Sequence, residues 1–191
     1  MMHMLKILIV LLSLIGWGSV AANMTDAQIM EIKSQQKEFV RLLPLEDMKN
    51  WIALPFQITP DGDLTEQFVP PNQTENNLDK RLVIQYTPIN RCRLPTDSLS
   101  SFINALYGEV QKHNPGVNWK TLSQSQNEIC FECIFFNKGR YEQALYKFIR
   151  TQHAIHHVSY AEIGKLITTE RRRLILEMLE SVEISHSKRQ R

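Results

Sequence analysis

Only three of the 191 residues are cysteine, Cys92, Cys130 and Cys133. That is too few for a miniprotein stapled by disulfides, so an apolar core has to hold the fold. An excess of charge of one sign is missing too: 22 basic residues stand against 20 acidic ones, a formal charge of +2. So close a balance argues against nucleic acid or anionic lipid as the main partner. Complete catalytic motifs are absent: there is no Gly-x-Ser-x-Gly, no His-Glu-x-x-His and no glycine-rich phosphate loop. What is present is globular in character. Hydrophobic residues at 43% and charged residues at 22% exclude a wholly disordered chain and a multi-span membrane protein.

The first 22 residues read as a secretory leader. Lys6 precedes the apolar stretch Ile7 to Ile15, Gly16-Trp17-Gly18-Ser19 interrupts it, and Val20-Ala21-Ala22 supplies small residues for cleavage. The stretch is shorter than the roughly 18 to 20 residues that span a bilayer. Export to a periplasmic or secreted location is expected, with no membrane span in the mature chain. Removing Lys6 leaves 21 basic and 20 acidic residues, or +1. Residues 23–185 are expected to form a single domain and residues 186–191 a short basic tail, which includes Lys188, Arg189 and Arg191.

Three helices are predicted. Thr25 and Gln28 have capping-box spacing, and Ile29, Ile32, Phe39, Val40 and Leu43 continue as a stripe until Pro44. A second helix starts near Thr96 or Asp97 and runs through Leu99, Phe102, Ile103, Leu106 and Val110 to His113-Asn114-Pro115-Gly116. The third begins near Thr168 or Thr169 and aligns Leu174, Ile175, Met178, Leu179 and Val182. Strands are predicted at Trp51 to Ile58, Arg81 to Ile89, Val117 to Ser123, Glu128 to Phe136, Glu142 to Thr151 and Ile155 to Ala161. Asn137-Lys138-Gly139-Arg140 suits a hairpin turn, and short connections favour an antiparallel meander. Pro60 to Lys80 reads as a long loop. Ile129, Phe131, Cys133 and Phe135 occupy one face of their strand while Cys130, Ile134 and Phe136 occupy the other, so both faces of the sheet need cover. The expected fold class is α+β: an antiparallel sheet of about five to six strands flanked by helices on both faces.

The segments Val117 to Lys120, Asn127 to Glu132, His153 to Tyr160 and the closing Thr168-Thr169-Glu170-Arg171 helix resemble the PsbP-like family of α/β/α sandwiches. The similarity covers roughly Arg81 to Ile184 and extends in layout to small exported proteins of Legionella-type bacteria. The resemblance implies a binding or assembly module, with another protein as the expected partner.

Cys130-Phe131-Glu132-Cys133 has redox-motif spacing, but on a strand it places the two α-carbons roughly 10 Å apart and the sulfurs on opposite faces. A disulfide needs less than about 7 Å. The remaining candidate bridge joins Cys92 to Cys130 or Cys133; three buried thiols are the alternative. The same geometry argues against zinc on Cys130, Cys133, His153, His156 and His157, and no metal or cofactor is expected. Glu132 is the most unusual polar residue, lying among Phe131, Cys133 and Ile134. The hairpin register opposes it to Leu145 and brings Lys147 diagonally near, which suggests a structural ion pair. Glu132, Lys147, His153, His156 and His157 form the candidate polar cluster, with no residue assigned as catalytic. The first functional expectation is an exported, non-enzymatic binding or accessory protein, recognising its partner through the Pro60 to Lys80 loop or a sheet edge at His153 to His157. The alternative is a small exported hydrolase or effector enzyme using Glu132 and a nearby histidine.

Overall fold

The computed structural model describes Gln36 and residues 38–58, 63–73, 79–137 and 140–186. The leader, the capping-box start of the first predicted helix and residues 187–191 of the basic tail lie outside this range. Along the chain come β1 (Glu38–Arg41), a 3-10 turn (Glu46–Met48), β2 (Ile52–Ala53), β3 (Gln57–Ile58), β4 (Leu64–Val69) and β5 (Lys80–Pro88). A second 3-10 turn (Ile89–Arg91) leads into α1 (Leu99–His113), followed by β6 (Asn118–Gln124), β7 (Glu128–Asn137), β8 (Arg140–Arg150), β9 (Ala154–Ile163), α2 (Thr169–Glu180) and β10 (Glu183–His186).

Eight strands form one antiparallel sheet in the order β2-β4-β5-β9-β8-β7-β6, with β3 also paired to β4; β1 and β10 form a separate two-stranded ribbon. The β7–β8 hairpin closes with Asn137 opposite Arg140, and it places Glu132 opposite Leu145 and Cys130 opposite Lys147, the register read from the sequence. Strand β9 arrives last but sits centrally, between β5 and β8. His156 and His157 are therefore in the interior of the sheet, which corrects the expected edge at His153 to His157.

The two-residue period of a strand sorts side chains onto two faces. On one, Phe131, Cys133 and Phe148 pack with Phe102, Leu106 and Val110 of α1. On the other, Leu145, Val158 and Tyr160 pack with Ile175, Met178 and Leu179 of α2, and Val40 and Ile184 of the β1–β10 ribbon join the same cluster. Helix α1 begins at Ser98, whose hydroxyl accepts a hydrogen bond from the Ser101 amide at 3.0 Å. The cap is thus Ser98 and not Thr96 or Asp97. Ser98→Ala is expected to lower stability by about 1 kcal/mol in urea unfolding, because that amide loses its acceptor. Thr168 caps α2 in the same way, accepting from the Arg171 amide at 3.3 Å.

The expected sheet of five to six strands between helical layers is corrected. Strand makes up 47% of the described residues and helix 23%, so the molecule is mostly β, with two helices and an eight-stranded sheet, and is not a helix-flanked sandwich. Two segments account for the difference. Phe39 and Val40, placed on a helical stripe, belong to β1 and pair with Ser185 and Ile184 of β10. The stretch taken as a loop contains β4, paired along β5 from Leu64 opposite Tyr86 to Phe68 opposite Leu82. Strand β4 escapes an alternation test because Thr65 and Gln67 are buried on one face while Leu64 and Phe68 take the other. Among the described residues, no helix is long and apolar enough to cross a membrane.

Candidate functional site

Pairing alone assembles a polar sector on the α1 face of the sheet. Thr65 lies opposite Gln85, Gln85 opposite His157, and His157 opposite Phe148. In the next row Gln67 meets Val83, Val83 meets Ser159, and Ser159 meets Tyr146. Beyond it Arg81 opposes Ala161, which in turn opposes Ala144. Glu142 lies two residues from Ala144 on β8, on the same face. All the polar residues of these rows are buried, whereas Glu142 is half-buried.

The chemistry of this sector is unusual. Arg81 is only 6% exposed, and among the described residues no ion pair or hydrogen bond engages its guanidinium. Its interactions with Glu142 and Tyr146 are through space. Burial pushes the Glu142 carboxyl up to about 7 against the opposing pull of Arg81. The His157 ring lies flat on Phe148, with centroids 4.6 Å apart and planes 2° apart, and 5.5 Å from Tyr146. Burial, helped by the Arg81 charge, brings His157 down to about 3, so it is a neutral imidazole near neutral pH. Both of its ring nitrogens, Gln85 Oε1, Thr65 Oγ1 and Glu142 Oε1 are buried with no hydrogen-bond partner among the described residues. Buried polar atoms normally find partners, so five such atoms on one sector mark it out from the rest of the core. The Gln85 amide donates to Thr87 Oγ1 at 3.3 Å. The arrangement offers a cation, hydroxyls, an amide oxygen and a neutral imidazole, a set suited to holding a polar molecule. Among the described residues, no nucleophile in this sector is hydrogen bonded to a base.

The cluster expected from the sequence is not brought together. Glu132 faces α2, where Arg172 Nε and Nη2 each donate to it at 3.1 Å and the Gln143 amide donates as well. Burial raises its carboxyl, but these bonds outweigh burial and hold it below the usual carboxylate range. Its partner is thus Arg172 and not Lys147, which instead reaches Glu128 at 3.2 Å. Gln143 also accepts from the Ile167 amide at 2.6 Å, so the network ties β7, β8 and the entry to α2 together. Arg172→Ala is expected to cost about 2 to 3 kcal/mol, since it strands a buried carboxylate. The double change Glu132→Leu with Arg172→Leu should cost clearly less than the single one in the same unfolding assay, because no buried charge is then left unpaired.

His156 lies on the face opposite His157, and its Nε2 is 3.0 Å from Glu38 Oε2; each residue is 1% exposed. Thr151 Oγ1 donates to the same carboxylate oxygen at 2.6 Å. Burial raises Glu38, yet the bonds from Thr151 and His156 lower it overall, while burial lowers His156 despite Glu38. An ionised Glu38 and a neutral His156 donating through Nε2 satisfy both directions. The dyad fastens β1 to the centre of the sheet. His153 is exposed in the β8–β9 turn, where its carbonyl accepts from the Ile89 amide at 3.0 Å.

No disulfide joins Cys92, Cys130 or Cys133. Cys92 and Cys133 pack in the α1-side cluster and Cys130 in the α2-side cluster, so the sheet separates Cys92 from Cys130. Burial raises the Cys130 thiol to about 11 and raises Cys133 as well, which disfavours the reactive thiolate. The three successive arginines of α2 all have intramolecular partners: Arg171 meets Asp47 at 2.8 Å and Tyr160, Arg172 meets Glu132, and Arg173 meets Glu170 at 2.7 Å and Glu177. Among the described residues, no group of three or more His, Cys, Asp or Glu could hold a metal ion.

Arg81, Gln85, Glu142, Tyr146 and Ser159 were missed as site candidates by sequence reasoning. The available signal was a charged residue opening an otherwise apolar strand, Arg81 ahead of Leu82-Val83-Ile84. In comparison with known proteins, the chain matches no family model and none of the curated proteins.

Proposed function

We propose that this chain is an exported, non-enzymatic binding protein whose ligand is a small polar molecule held on the α1 face of the sheet. The observation that carries the reading is the buried polar sector, where His157, Gln85, Thr65 and Glu142 keep polar atoms with no partner among the described residues, beside the buried Arg81. Such atoms cost stability unless something hydrogen bonds to them, and a bound polar molecule would supply those bonds. The hydrolase alternative is weakened by the contacts of Glu132, whose oxygens are taken by Arg172 and Gln143 and whose hydrogen-bond partners among the described residues include no histidine.

A thermal-unfolding screen of small polar metabolites tests the proposal. A ligand of the sector raises the midpoint of the wild type with increasing concentration and leaves a Ser159→Leu variant unmoved. Equal shifts in both proteins place binding elsewhere and sink the reading. Export predicts a processed chain beginning at Asn23 in intact-mass analysis after expression with the leader. A second reading, docking of another protein, is favoured by the edge strand β6, which among the described residues is paired on one side only and is largely exposed. Its test is whether a proline at Ser123 abolishes capture of the partner while leaving the fold intact.

A further inference from the structure

We infer that the end of the β7–β8 hairpin inserts into the surface of an anionic phospholipid bilayer, with Phe136 and Tyr141 as the apolar wedge and Arg140 and Lys165 as headgroup contacts. The surface is independent of the polar sector. Leu145 and Ile149 of β8 pack on the α2 side and Ala144, Tyr146 and Phe148 on the α1 side, so Tyr141 faces α2 and Glu142 faces α1.

Register makes this end project. The partner of Ile134 on β6 is Asn118, the first residue of that strand, and the partner of Glu142 on β9 is Ile163, the last. Phe136 opposite Tyr141 and Asn137 opposite Arg140 therefore lie beyond the paired residues of both neighbouring strands. Two to three residues at about 3.3 Å each carry them roughly 7 to 10 Å past the start of β6. That reach matches the depth of about 5 to 10 Å at which interfacial elements bury their apolar side. Past β9 the chain turns at Gly164, at φ +94°, whose amide donates to the Tyr141 carbonyl at 2.7 Å. It then crosses onto the α2 face, because the Ile167 amide reaches Gln143 Oε1 at 2.6 Å and Ile167 packs in the α2-side cluster. Leu166 is thus brought to the same end and face as Tyr141.

Such a projection would ordinarily be polar. Here the rings of Phe136 and Tyr141 lie 4.7 Å apart and are 62% and 42% exposed, and Leu166 is 46% exposed. These are three of the five large exposed hydrophobic side chains among the described residues, so the exposure is concentrated at one end.

Charge selects the occupant. Arg140 and Lys165 are exposed, and among the described residues neither side chain makes an ion pair. The carboxylates nearby are engaged or turned away: Glu142 faces α1, Glu162 is buried, Glu170 is held by Arg173 at 2.7 Å, and Asp79 accepts from the Gln73 amide at 3.4 Å. Exposed rings beside uncompensated cations suit a lipid interface, where aromatic rings sit at headgroup level and each cation meets anionic lipid. A second copy fits less well, since a two-fold contact sets the same cations against each other. A protein groove is also disfavoured, because interface cores are depleted in lysine. With the whole chain at a formal charge of only +2, attraction does not act at long range, and attachment is short-ranged and reversible.

Co-sedimentation tests this, using the chain recovered after expression with its leader, vesicles of phosphatidylglycerol mixed with phosphatidylcholine, and vesicles of phosphatidylcholine alone. Wild type should bind the mixed vesicles at least about tenfold more tightly than the neutral ones, two cations each contributing about fivefold. Phe136→Ser combined with Tyr141→Ser should weaken binding to the mixed vesicles by at least about tenfold. Arg140→Gln should weaken it by about fivefold and leave the neutral vesicles unaffected. A Phe136→Trp variant reads the wedge directly: brominated phosphatidylcholine in the mixed vesicles should quench the introduced indole beyond any quenching of the wild type. All these side chains are exposed, so urea midpoints should match the wild type. Should the double serine variant unfold, Leu166→Ser and the indole quenching carry the test. No binding to either vesicle, equal binding to both, unchanged affinity in the folded double variant, or an unquenched indole would each overturn the inference. So would a lipid-free dimer that the double variant dissolves, because a second copy would then cover the wedge.

Discussion

Replacing Phe131 with alanine is expected to destabilise the protein by about 3 to 5 kcal/mol, a large part of the 5 to 15 kcal/mol that holds a domain together. Phe131 is 0% exposed and stands at the crossing of three strands. Its ring stacks on Trp119 of β6 at 3.9 Å, on Tyr146 of β8 at 4.8 Å and on Phe148 at 5.6 Å, with the planes within 20° in each case. Truncation opens a void walled by three large rings that cannot all move in to fill it, because α1 holds them from above through Phe102, 5.8 Å from Phe148. Among the described residues, the edge strand β6 pairs with β7 alone, so its Trp119 loses a main contact. Urea unfolding followed by tryptophan fluorescence should show the loss as a lower midpoint at constant slope. Phe131→Leu should cost clearly less. A loss under about 1.5 kcal/mol for the alanine variant would mean that the stacked rings do not form the centre of the α1-side core.

That core was legible in the sequence because every signal for it is local. Alternation puts Ile129, Phe131, Cys133 and Phe135 on one face of their strand, and the turn signal in the sequence at 137–140 gives the partner of each β8 residue. The stripe from Leu99 to Val110 identifies the side of α1 that packs on it. The polar sector was not legible, for a physical reason that the same alternation rule contains. Period-two reading assigns polar positions to solvent, whereas Arg81, Gln85 and Thr87 face the covered side of the sheet. Which face is covered depends on the β5–β9 pairing, and that pairing joins residues as distant as Lys80 and Glu162 with no turn between them to betray it. The error at Glu132 is related. Lys147 was the nearest cation by strand register, but Arg172, 40 residues away on a helix, holds the carboxylate. Neighbouring His156 and His157 look like one cluster in the sequence. One-residue alternation sends the first to Glu38 and the second into the aromatic stack.

The opposed titrations of His157 and Glu142 predict a pH signature that few structural cores have. In the folded protein His157 titrates at about 3, far below its unfolded value of 6.5. Below pH 6.5 the unfolded chain therefore takes up a proton that the native state refuses, and acidification destabilises by up to about 1.4 kcal/mol per pH unit. Glu142 behaves in the opposite sense. Its folded value of about 7 lies above the unfolded 4.5, so from pH 6.5 down to 4.5 the native state holds a proton that the unfolded chain still lacks, and acidification stabilises. Between those limits the two slopes cancel, leaving the wild type nearly flat in this contribution. Both residues face Arg81 and Tyr146, so all four belong to one electrostatic unit. Substituting either titrating member exposes the other. Relative to wild type, Glu142→Gln should lose roughly 2 to 3 kcal/mol as pH falls from 6.5 to 4.5, through the His157 slope alone. His157→Phe, which keeps a flat ring against Phe148, should gain about the same amount over that interval. Urea unfolding of the three proteins at pH 6.5, 5.5 and 4.5 separates the variants by about 5 kcal/mol at the acid end, once each is referred to its own value at pH 6.5. Parallel pH profiles for all three would show that neither group is buried as described, and the polar sector would then be an ordinary solvated face with no claim on a ligand.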